Sequence, residues 1–220
     1  MEREMDVGVV SKTWPNARRG EKAALLAEAP GVTRLVNVWC HKDPAWSLQL
    51  LQRAAPTVER LRAVYICEDH LLAVHDAMPR LRRLDVSGNL DLLDAQPPVQ
   101  VSALPPGHAG LQWLSMGVLP RATTLSLLQA HGATLGELEL WVGTAGSCKF
   151  PGWPDSCDDL HSLLQQSGGL RALRRLVLRR YTRCSHEPAA CRQQRAEVLE
   201  VLPGVEVLCS ECDHVEQEEV

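Results

Sequence analysis

With 220 residues, 45% of them hydrophobic and 23% charged, and a formal net charge of −4, the chain can bury a sizeable core and lacks the basic excess of a nucleic-acid or membrane-surface protein. Aromatic residues make up only 4%, with a single Phe, so leucine and valine must fill that core. No apolar run reaches the roughly 18 residues of a membrane span, and the opening Met1 to Asp6 is acidic where a signal peptide is basic and then apolar; an intracellular location, cytoplasmic or nuclear, with reduced cysteines is the expectation.

In chain order, Val7, Val9 and Val10 can form a strand, and residues 17–29 have helical composition with Ala23, Ala24, Leu25 and Leu26 before Pro30-Gly31. A strand is expected over Arg34 to Trp39 and a helix over Ala45 to Ala54, opened by Asp43-Pro44. The next pair is a strand over Leu61 to Ile66 and a helix over His70 to Ala77. A short strand after Arg80 follows, and then prolines 97, 98, 105 and 106 forbid a long helix. Further on come a helix over Arg121 to His131, a strand in which Leu138, Leu140 and Val142 alternate with Glu137, Glu139 and Trp141, and a helix from about Cys157 to Gln166. The last elements are a strand over Arg174 to Arg179, a helix ending at Leu202 and a half repeat before the acidic tail.

The strands share a spelling. Leu81-Arg-Arg-Leu84-Asp-Val86 gives the spacing L-x-x-L-x-L, and Leu111-Gln-Trp-Leu114-Ser-Met116, Leu135-Gly-Glu-Leu138-Glu-Leu140 and Leu173-Arg-Arg-Leu176-Val-Leu178 keep all three anchors. Looser copies hold the central anchor at Leu35, Leu61 and Leu208. Three of the intervals lie within the roughly 20 to 29 residues of a leucine-rich repeat, and three are longer and must loop out. One such strand cannot bury its own apolar face, so the copies must stack. The expected fold is an α/β leucine-rich-repeat solenoid, a horseshoe of six to seven repeats with parallel strands on the concave face and short helices on the convex face. Residues 1–30 are expected to be a degraded first repeat or N-terminal cap, 31–210 the repeat domain and 211–220 an acidic disordered tail.

Residues 31–208 resemble the leucine-rich-repeat arm of F-box proteins. The resemblance implies a non-catalytic module that captures a substrate protein for a ubiquitin ligase, with the ligase adaptor as a second partner if an F-box lies upstream. The helical segment with a Leu-Pro motif that opens an F-box has no counterpart before Val32. The alternative is a stand-alone repeat scaffold or inhibitor without a ligase link.

Residues with chemistry in them give weaker patterns. No phosphate loop, G-x-S-x-G, H-E-x-x-H or G-x-G-x-x-G occurs, and no enzyme is expected. The histidines of Cys40-His41 and Asp69-His70 are read as surface or loop residues. Cys209-Ser-Glu-Cys212-Asp-His214, with Cys184, His186 and Cys191 upstream, could supply zinc ligands, but the upstream half lacks a C-x-x-C pair and a leucine core needs no metal. The expectation is therefore no metal and no cofactor. Cys148 with Cys157 and Cys184 with Cys191 could pair only in an oxidising compartment, so free thiols are expected. The basic run Arg171, Arg174, Arg175, Arg179, Arg180 and Arg183 has one aromatic neighbour, Tyr181; it is read as a solvated strand face screened by the acidic tail rather than as a nucleic-acid site.

The partner surface follows from the register. With the first, fourth and sixth motif positions buried, the third, fifth and seventh project outward. They are Arg60 and Arg62, Arg83 and Asp85, Trp113 and Ser115, Glu137, Glu139 and Trp141, then Arg175 and Arg179. Trp113 and Trp141 are expected to be exposed anchors for a protein partner.

Overall fold

The computed structural model describes residues 2–93, 96–146, 152–181, 184, 186–218 and 220. Eight strands, β1 Glu4–Asp6, β2 Arg34–Trp39, β3 Arg60–Val64, β4 Arg83–Ser87, β5 Trp113–Gly117, β6 Glu137–Trp141, β7 Arg175–Arg179 and β8 Glu206–Cys209, form one sheet in that order. Every neighbouring pair is parallel. Each connection must therefore cross over and return one strand further along. Seven helices, α1 Gly8–Ser11, α2 Arg19–Glu28, α3 Pro44–Ala54, α4 Glu68–Ala77, α5 Arg121–His131, α6 Leu160–Gln166 and α7 Pro188–Val201, lie in these connections. Neighbours α2 and α3, α3 and α4, α5 and α6, and α6 and α7 touch side by side.

The motif spacing produces the core directly. Across the sheet, Leu35, Leu61, Leu84, Leu114, Leu138, Leu176 and Val207 stand in one row. Ala63, Val86, Met116, Leu140, Leu178 and Cys209 form the next row on the same face. All are buried, and all but Cys209 pack in one core with Leu50, Leu51, Leu71, Leu127, Leu128, Leu163 and Val198 of the helices. The caps agree with the sequence at α3, where Asp43 accepts a hydrogen bond from the Trp46 amide and Pro44 fills the first turn.

Two local readings change. The first strand is Glu4–Asp6 and not the valines after it, because the Asp6 carboxylate accepts the Gly8 amide and turns the chain into α1. In the last strand the buried anchor is Val207, which pairs with Leu176, while Leu208 pairs with Val177 on the opposite face. The spelling Val-Glu-Val-Leu offers two registers one residue apart, and only pairing with β7 selects between them. Between β4 and β5 there is a short 3-10 turn at Leu90–Leu92, after which the amides of Val99 and Val101 donate to Thr123 Oγ1 and Ser126 Oγ of α5. The proline-rich insertion thus lies along α5, whose hydroxyls satisfy its backbone.

Candidate functional site

Opposite the helices the sheet presents an open face. Its first row runs Arg34, Arg60, Arg83, Trp113, Glu137, Arg175 and Glu206, and its second Arg62, Asp85, Ser115, Glu139, Val177 and Leu208. Trp141 pairs with Arg179 beyond them. All eleven residues picked out by the register stand on this face, as period-two alternation requires.

Their exposure differs from expectation. Trp113 is 3% exposed, Ser115 1%, Glu139 2% and Arg179 3%. The tail, expected to fray, lies across the strands instead. Glu218 reaches Arg83 at 2.7 Å and Arg175 at 3.4 Å, and the backbone oxygen of Val220 accepts from Arg34 Nε. Arg179 donates from Nε and Nη2 to the two oxygens of Glu139 at 2.8 and 3.0 Å, and spends its other N–H groups on the backbone oxygens of Val215 and Glu216, both at 2.6 Å. Of the basic run, Arg175 meets a tail carboxylate, that of Glu218, while Arg179 and Arg180 are buried rather than solvated.

Trp113 is consequently not an exposed anchor. The Arg83 guanidinium lies over its ring, 4.6 Å from the centroid, and Glu218 pins that guanidinium from beyond. Trp141 is half-buried, lying over Gly117, where an added Cβ would come within 3.2 Å of the indole. Tyr181 OH donates to the Trp141 carbonyl. Arg62 sits 3.2 Å from Asp85; burial nevertheless raises the Asp85 pKa, with Arg62 opposing it. Among the described residues Trp113 Nε1 has no hydrogen-bond partner, so the middle of the face keeps a donor unused, while Ser115 supports the Asp85 carboxylate from the neighbouring strand. The sequence pattern named these residues; it held no signal that a segment of the same chain covers them.

His70 is the other correction. It is 1% exposed in α4, with Nδ1 2.8 Å from Cys67 Sγ and Nε2 2.8 Å from Ser47 Oγ. Burial lowers its pKa, which leaves a neutral ring bridging thiol and hydroxyl.

One group of residues could hold a metal. The ligand atoms of His186, Cys191, Cys209 and Cys212 lie within 4.8 Å of one another, although the sequence spacing alone had argued against a site. His214, exposed and in the left-handed region, and Cys184, which is disulfide-bonded, stand outside the group. Cys157 and Cys191 are free thiols, so the Cys184–Cys191 pairing is not formed, and the expectation of reduced cysteines fails at Cys184; Cys148 lies outside the described residues. No helix among the described residues is long and apolar enough to cross a membrane. Compared with protein families, with curated proteins and with solved structures, the chain matches none.

Proposed function

We propose that the chain is a leucine-rich-repeat solenoid acting as a non-catalytic protein-interaction module, and that its open, concave face takes an extended acidic segment. The observation that carries this is the tail: residues 215–218 and 220 already lie on the ladder as a ligand would, held through backbone oxygens by Arg34 and Arg179 and through Glu218 by Arg83 and Arg175. Backbone recognition sets the direction of an extended chain, and paired charges choose an acidic one. The recurrent motif supports the solenoid, as does the strictly sequential order of parallel strands.

The finer reading, the substrate-recognition arm of an F-box-type ubiquitin ligase subunit, rests on the resemblance of the repeats. In its place the chain would be a stand-alone scaffold or inhibitor. The test is direct. A chain lacking 215–220 should bind a synthetic peptide of residues 211–220 in calorimetry, the full chain should bind it at least tenfold more weakly, and a peptide with its acids replaced by lysine should not bind. A truncated chain that ignores the acidic peptide would overturn the reading. Copurification of a cullin adaptor with the full protein from cells separates the ligase arm from the scaffold.

A further inference from the structure

We infer that His186, Cys191, Cys209 and Cys212 form a structural zinc site. The four ligands come from three places, the segment just before α7, the first turn of α7, and the end of β8 with the turn after it. Docking of α7 on β8 is what gathers them. The sulfur atoms of Cys209 and Cys212 each lie 3.5 Å from His186 Nε2, and Cys212 Sγ lies 4.0 Å from Cys191 Sγ. A zinc tetrahedron with bonds of about 2.3 Å to sulfur and about 2.0 Å to nitrogen has S···N edges of about 3.5 Å and S···S edges of about 3.8 Å. The observed separations are the edges of such a figure. They are also far longer than the roughly 2.05 Å of a disulfide, which would in any case use two of the three thiols and strand the third.

A second observation points to the same ligand. Arg180 is buried, 6% exposed, and among the described residues no carboxylate pairs with it. It donates instead to Cys191 Sγ at 3.1 Å and to Cys209 Sγ at 3.4 Å, while Gln194 Oε1 and the Val142 carbonyl orient it through Nη1. A buried cation requires a counter-charge. Zinc bound by three thiolates and one neutral imidazole carries one net negative charge, which the guanidinium balances, and N–H donation to ligand sulfur is the usual outer support of such a site. Thiolate and imidazole donors favour zinc over magnesium or calcium. All four positions are protein ligands, so the ion has no open position for catalysis. Cys212 stands three residues before Val215, so the site holds the point from which the tail enters the open face. The inference itself rests on the ligand geometry and on Arg180, not on how the open face is used.

The full chain, expressed with zinc and purified without chelator, should carry about one zinc per molecule by elemental analysis, as expected for a closed Cys3His set. Replacing the metal with cobalt should give the intense visible bands of a tetrahedral thiolate complex. Cys212→Ser and His186→Ala, at accessible edges of the site, should lower zinc affinity at least tenfold with unchanged far-UV circular dichroism, whereas Cys67→Ser should keep full occupancy. A wild-type chain with neither zinc nor tetrahedral cobalt bands overturns the site without recourse to any variant. A disulfide within the group in freshly purified protein, or equal metal loss in Cys67→Ser, overturns it as well.

Discussion

Arg179 holds Glu139 in a two-pronged hydrogen bond between adjacent strands, with only 4% and 3% of the two side chains exposed. The pair sits on the face that leucine spacing leaves for solvent, and the same guanidinium binds the backbone of Val215 and Glu216. It is therefore both part of the ladder and the clamp on what lies upon it.

Removing one partner leaves a buried charge alone. Glu139→Gln should cost about 3 to 5 kcal/mol in urea unfolding, and Glu139→Met with Arg179→Met together should cost less than the sum of the two single changes. Additive single and double losses would show that the two side chains act independently.

Detaching the tail should uncover the indole beneath Arg83. Glu218→Arg, which faces Arg83 and Arg175 with a like charge, should red-shift tryptophan emission and raise quenching by acrylamide, and Trp113→Phe should abolish most of that response. The Glu218 contacts are part-exposed and salt-screened, so the global melting temperature should move little. If Trp113 and Trp141 also anchor an outside partner, replacing either by Ala in the tail-less chain should weaken capture by about 2 kcal/mol.

The register predicts a contrast within single strands. Leu84→Ala and Leu138→Ala, at 2% and 0% exposure, should each destabilise by about 2 to 5 kcal/mol. At the end of the sheet Val207→Ala should cost more than Leu208→Ala, since Val207 continues the core row while Leu208 is half-buried on the open face. The reverse order would return the anchor to Leu208.

Acid should unfold the helical side first. His131 packs edge-on against His75, with centroids 5.4 Å apart, and burial, reinforced by His75 and His108, lowers its pKa from 6.5 to about 4. A folded imidazole that resists protonation binds fewer protons than the unfolded one between those values, so stability is full above about pH 6.5 and is lost as pH falls toward 4. The loss from His131 should be about 3 kcal/mol. His131→Gln should flatten that slope in unfolding curves between pH 7 and 4; an unchanged slope would assign the acid sensitivity elsewhere.

Much of the fold was legible because its determinants are local. Spacing of leucines at three and two residues specifies which side of a strand is buried, and helix stops such as Pro30-Gly31 and Gly132 mark where each crossover turns back; β2 at Arg34–Trp39 and α5 at Arg121–His131 fall where the periodicity places them. The same alternation placed all eleven ladder residues on one face. What the chain's local pattern could not decide is what meets that face and which loops meet each other. Arg34 and Val220 are joined across 186 residues, Arg180 finds its counter-charges only where α7 packs beside β8, and the choice between Val207 and Leu208 is made by the pairing partner rather than by either side chain. Those contacts depend on the path of the whole chain. Periodicity carries information over one or two turns, whereas burial of a charged pair or assembly of a tetrahedral ligand set depends on surfaces that exist only after the strands have stacked.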